Sequence, residues 1–125
     1  MSTLLTDIAS AASVHVLAAG ALTATGNGTG VDLGDGDGPC TLVHHVVAAG
    51  GTSPDLVAVL AESDNNSSGW SEIPAEIDQV SAAGDLQLVQ FFRTKRYVRY
   101  TRTITGTSPS FTVSVLALQQ KKMIA

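Results

Sequence analysis

Apolar and polar residues alternate with a period of two through much of the second half of the chain. Phe111, Val113 and Val115 alternate with Thr112, Ser114 and Leu116, and Val98, Tyr100, Arg102 and Ile104 alternate with Tyr97, Arg99, Thr101 and Thr103. Successive side chains of an extended chain point to opposite sides, so this spacing predicts strands with one face on a core. Leu86 and Leu88, set against Gln87 and Val89, follow the same rule. Residues 14–17, 22–25, 31–33 and 77–80 are shorter apolar segments divided by glycine and polar residues. Together with 41–47 and 56–60 they predict about eight short antiparallel strands bounded by Gly, Asn, Asp, Ser and Pro clusters, the pattern of an all-β, jelly-roll-like β-sandwich. Residues 1–19 are expected to form an N-terminal arm or first strand, with 3–12 the one segment where a helix capped by Ser2 or Thr6 fits, and 20–125 the sandwich domain.

One turn element is written twice. Gly51-Thr52-Ser53-Pro54 recurs 55 residues on as Gly106-Thr107-Ser108-Pro109, each copy standing between two predicted strands. Glycine tolerates positive φ, proline fixes its own φ and biases the preceding serine toward extended geometry, and the hydroxyls satisfy local backbone groups. Each copy therefore reads as the turn of a β-hairpin. Two copies are too few for a repeat array.

Composition narrows the class. At 125 residues the chain is sized for one domain, and 44% hydrophobic against 14% charged residues is the balance of a folded chain. A net charge of −4 argues against a general nucleic-acid binder. The single Cys40 excludes an intrachain disulfide and reads as a buried reduced thiol. No basic n-region precedes the apolar N-terminal stretch, and no run reaches the roughly 20 apolar residues of a membrane-spanning helix. The expectation is a protein made in a cytoplasm, with no membrane and no direct nucleic-acid partner.

Candidate chemistry is sparse. Asp32, Asp35 and Asp37 stand in a Gly/Asp-rich stretch that could gather carboxylates around a hard cation, but the spacing lacks the closing Glu of an EF-hand, and an ordinary turn is the stronger reading. His44 and His45 are adjacent and so point to opposite sides of a strand, which removes them as a joint metal pair. No nucleophile elbow or phosphate-cradling loop is present. The chain is expected to be no enzyme and to need no cofactor. Ser63 to Trp70 resembles a degenerate Asp-box turn, with Asn65 in place of the Asp and Ser67 in place of the Gly. Trp70, the one tryptophan, is a candidate anchor for a partner. Arg93, Lys95, Arg96, Arg99 and Arg102 fall within ten residues and form a candidate basic docking stripe, set against the plainer role of edge charges that block aggregation.

The order of these features resembles small structural proteins of tailed bacteriophages, especially head decoration or cement proteins. The features are Asn27-Gly28-Thr29-Gly30-Val31-Asp32-Leu33-Gly34, the first Gly-Thr-Ser-Pro, Glu62-Ser63-Asp64 to Trp70, Arg96-Tyr97-Val98-Arg99-Tyr100 and the second Gly-Thr-Ser-Pro. The likeness covers residues 26–118. It implies a subunit on the outer capsid surface of a virion that bridges capsomers, with the major capsid protein and its own copies, as a homotrimer, for partners. The alternative is a carbohydrate-binding module of a phage tail or spike, with Trp70, Tyr97 and Tyr100 as stacking rings.

Overall fold

The computed structural model describes residues 12–34 and 36–121. Among them there is no helix; seven strands join in one antiparallel sheet: β1 (Ala12–Leu22), β2 (Gly26–Asn27), β3 (Val31–Asp32), β4 (Gly36–Ser63), β5 (Ser71–Ile73), β6 (Asp85–Phe91) and β7 (Tyr97–Lys121). The all-β expectation holds. Residues 77–80, expected as a strand, contribute a single bridge from Val80 to Leu56. Most of the segment 3–12 lies outside the described residues, while 12–19 belong to the first strand rather than to a detached arm.

The two hairpins expected at the Gly-Thr-Ser-Pro copies do not form. β4 and β7 instead run antiparallel to each other over nearly their whole length, from Gly36↔Lys121 to Ser63↔Tyr97, and both motifs lie in the middle of that ladder with Thr52 opposite Thr107. The register slips on both sides of Thr52, so each motif is a bulge in a long strand. The two copies have the same shape: Gly51 and Gly106 take φ of 96° and 120°, and Ser53 and Ser108 take 48° and 47°. They are related by a local two-fold axis between the strands. Each glycine lies against the other copy, such that a Cβ on Gly51 would stand 2.5 Å from the carbonyl oxygen of Ser108, and one on Gly106 would stand 2.7 Å from that of Ser53.

These paired bulges fold the sheet over on itself. His44 precedes Leu60 by 16 positions, and Leu60 is paired with Tyr100. In a straight sheet His44 and Tyr100 would therefore be roughly 50 Å apart at ~3.3 Å per residue. Their side chains meet instead, His44 Nε2 lying 2.8 Å from the Tyr100 hydroxyl. One half of the curl consists of β6, the first part of β4, the last part of β7 and β1; the other consists of β5, the rest of β4, the start of β7, β2 and β3. The concave side holds a single core, with Leu42, Val46, Phe111 and Val115 from one half against Leu56, Leu60, Val98 and Tyr100 from the other.

His44 is wholly buried in that core, and burial pulls its imidazole below the ordinary histidine range. The folded state then binds fewer protons here than the unfolded chain, which protonates as pH falls below about 6.5. Stability is expected to be fully present above that pH and to decline below it by up to ~1.4 kcal/mol per pH unit. The Tyr100 phenol is pushed upward by burial, so a second decline is expected only above pH 10, where the unfolded phenol ionises. Denaturant titrations across pH check both limits, and the double substitution His44→Leu, Tyr100→Phe is expected to flatten the acid limb between pH 6.5 and 5.

Candidate functional site

The basic segment is divided among separate structural tasks. Arg93 is a strut between the open ends of the curl: its guanidinium donates to the carbonyls of Leu33, Gly36 and Lys95 and to Gln119 Oε1. Gln119 Nε2 donates to the same Leu33 carbonyl at 2.9 Å. The backbone N–H groups of Thr94 and Lys95 and the Thr94 hydroxyl converge on Oε1 of the buried Glu62, which fixes the turn from β6 into β7. Lys95 Nζ reaches Ser71 Oγ at 3.4 Å.

Arg96 makes a two-pronged contact with Asp32, at 2.8 and 2.7 Å, on the surface. That guanidinium, helped by the Gly34 N–H, holds the Asp32 carboxyl down to about 2. Arg102 donates to the Ala24 carbonyl at 3.0 Å. Arg99 lies over the Trp70 ring at 4.3 Å from its centre. The five cations thus face different neighbours and do not present one continuous stripe.

Trp70 sits half-buried at the end of the 63–70 turn, whose Asn65 Oδ1 accepts from the N–H groups of Ser67 and Ser68, as the Asp-box likeness implies for the Asp position. Arg99 covers one ring face of Trp70, and Arg96 stands 5.5 Å from the centre of the Tyr97 ring. Tyr100, the third ring of the carbohydrate reading, is fully buried and offers nothing to a ligand. Of the aspartates, Asp32 is engaged by Arg96, Asp35 lies outside the described residues, and no cluster of three metal-ligating side chains occurs among the described residues. Cys40 is buried, as expected, with its Sγ 3.7 Å from Gln119 Oε1, and burial pushes its thiol up.

The broadest candidate surface is one that strand alternation alone did not single out. On the convex side of the first half, the register sets Val16, Leu116, Val43 and Leu88 in one row across β1, β7, β4 and β6. Val14, Leu118, Thr41 and Gln90 form the row on one side of it; Ala19, Ser114, His45 and Leu86 form the row on the other. None of the chain's 7 Lys and Arg or 11 Asp and Glu occupies any of these positions. Leu88 is 70% exposed, Leu86 59%, Val14 56% and Val16 55%, and Phe92, 66% exposed, follows β6 in the same alternation.

The convex side of the other half differs, although the same two strands build its centre. There Tyr97, Arg99, Thr101 and Thr103 of β7 face outward beside Asp55 and Val57 of β4. In this half β7 alternates apolar-in and polar-out, as an antiparallel sheet with one face in water does, whereas β4 sets Val57, Val59 and Ala61 on the outward side opposite Thr103, Thr101 and Arg99. At the outer edge of β6, Leu88 and Gln90 share a groove of 640 Å³ with Glu72 and Glu76, and past the Val14 row Asp37 is opposite Gln120 in the register. A neutral, apolar sheet face flanked by polar surface is the mark of an interaction site. Apolar residues are doubled in Leu42-Val43, Val46-Val47 and Val115 to Leu118, but Leu56 to Ala61 of the other half share that doubling, so the sequence alone does not single out this face. Searches of protein-family models, of curated proteins and of solved structures each return no match to this chain.

Proposed function

We propose that this chain is a structural subunit of a tailed-phage particle, a decoration protein on the outside of the head that binds the major capsid protein and strengthens the shell by bridging capsomers. The observation that carries the reading is the neutral apolar face over β1, β7, β4 and β6, which suits a subunit completed by another protein surface rather than by water. We place the curled sheet in the β-sandwich, jelly-roll-like class on the ground that its two halves enclose one core. The shape supports a mechanical role. Two long strands carry the ladder through both halves, and Arg93 and Glu62 tie down the ends, so a load on one half passes to the other through hydrogen bonds. The carbohydrate reading is the weaker one, because one of its three rings is in the core and another is covered by Arg99.

The test is co-sedimentation of the purified protein with empty shells assembled from the major capsid protein of the phage or prophage genome in which this reading places the chain. Saturable binding at a fixed ratio to capsomers is expected. Absence of binding to expanded shells overturns the reading, and specific binding on a glycan array would favour the carbohydrate alternative.

A further inference from the structure

We infer that the neutral face is closed by a second copy of this chain, packed face to face about a two-fold axis parallel to the strands. The inference deepens the structural-subunit reading by naming what covers that face. Charge favours this occupant. The three rows hold no Asp, Glu, Lys or Arg, the nearest acids of the groove being Glu72 and Glu76 at the β6 edge, and burying another protein's charges against the middle of the face would leave them desolvated and unpaired. A second copy brings a face equally free of Asp, Glu, Lys and Arg.

The relief of the face favours it too. At one edge β1 presents small residues, Val14, Val16 and Ala19, whereas at the other β6 presents large ones, Gln90, Leu88 and Leu86. The face is therefore a wedge, low along β1 and high along β6. A two-fold axis parallel to the strands lays the high edge of each copy over the low edge of the other. Leu88 then meets Val16 of the second copy, and Leu86 meets Ala19. In the middle Leu116 faces Val43 of the second copy, and the Ser114 hydroxyl faces the His45 ring, a donor and acceptor pair. A two-fold contact is self-complementary by construction, which is what the graded edges supply.

The area of the face is sufficient for a specific contact. Four strands ~4.8 Å apart and rows ~6.8 Å apart outline a flat patch of roughly 400 Å² per copy. With side-chain relief and Phe92 included, two such faces bury on the order of 1,000 Å², the lower bound of a specific interface. Sheets packed this way lie ~10 Å apart with their strands nearly aligned.

Light scattering on the eluting full-length protein at tens of micromolar tests the proposal. The expected result is twice the chain mass. Leu88→Asp and Val16→Lys, both at exposed positions, are each expected to halve it with an unchanged circular dichroism spectrum and melting transition, while Thr103→Asp on the polar half leaves the dimer intact. Mixing the Leu88→Asp and Val16→Lys proteins is expected to restore dimers, since the two positions meet across the axis. A monomeric wild type, a trimer, an unaltered Leu88→Asp dimer or a mixture that stays monomeric overturns the two-fold packing. A dimer that ignores capsid shells would sink the decoration reading and spare this one; a monomer that binds shells would do the reverse.

Discussion

Gly51→Ala and Gly106→Ala are each expected to destabilise the protein by about 3 kcal/mol or more, an amount comparable with much of a small domain's total stability. Two costs combine at these sites. Both glycines have φ near +100°, where a side chain strains the backbone by ~1 kcal/mol or more. Their added Cβ atoms would also press on the backbone of the other motif, at 2.5 Å from Ser108 O and 2.7 Å from Ser53 O, and a backbone oxygen cannot swing aside as the end of a flexible side chain can. Gly20 and Gly84 separate the two terms, because they have φ of +93° and +83° with nothing within 4 Å of the added Cβ. Alanine there should cost only the conformational part, roughly 1 kcal/mol. Denaturant midpoints of the four variants, with unchanged m-values, are the measurement. Because Gly51 and Gly106 press on reciprocal parts of one contact, the double variant should lose less than the two single losses combined.

Arg93→Met is the second large expected loss, about 3 kcal/mol, even though the substitution keeps an apolar stem of similar length. Four acceptors converge on this one guanidinium, and removing it takes a charged donor from the carbonyls of Gly36, Lys95 and Leu33, of which Leu33 keeps Gln119 Nε2 and the Gly36 N–H. Arg93→Lys should recover only part of the loss, since a single ammonium cannot span acceptors placed for a planar fork. A docking arginine behaves differently: its loss weakens partner binding and leaves the denaturation midpoint in place. A lowered denaturation midpoint for Arg93→Met would therefore assign Arg93 to the fold. Arg99 and Arg102, on the polar half, remain available to be tested in binding by the same pair of readouts.

How far the sequence foretold this arrangement depends on whether the deciding contact was local. The run Phe111 to Ala117 has its apolar period written into it, and the structure buries Phe111, Val113, Val115 and Ala117 as that period requires. In the duplicated Gly-Thr-Ser-Pro the glycines were legible as positions open to positive φ, but Ser53 and Ser108, expected extended before proline, take φ of 48° and 47°, and the motif is a bend within a strand and not a hairpin turn. Local chemistry is the same for a tight turn and for a bulge. What separates them is whether the flanking strands pair with each other or with a strand 55 residues away, and that is set by the long ladder of β4 on β7. The basic cluster was legible as a concentration of charge, yet its partners, Asp32, Trp70 and the carbonyls of Ala24, Leu33 and Gly36, come from distant parts of the chain. The neutral face was the least legible feature. Its rows exist only once β1, β7, β4 and β6 are in register, and no single strand among them displays more than three or four of the residues.

The claim that joins these observations is that the layer over β1, β7, β4 and β6 belongs to an interface and not to the particle's outer surface. A cryo-electron microscopy map of capsid shells incubated with the protein tests it most directly. The expected map shows added density on the shell exterior in which Val16, Val43, Leu88 and Leu116 are covered by protein and the half bearing Arg99, Thr101 and Thr103 lies outside that contact. Shells without added density, or a bound subunit whose Leu88 row faces solvent, would contradict the account.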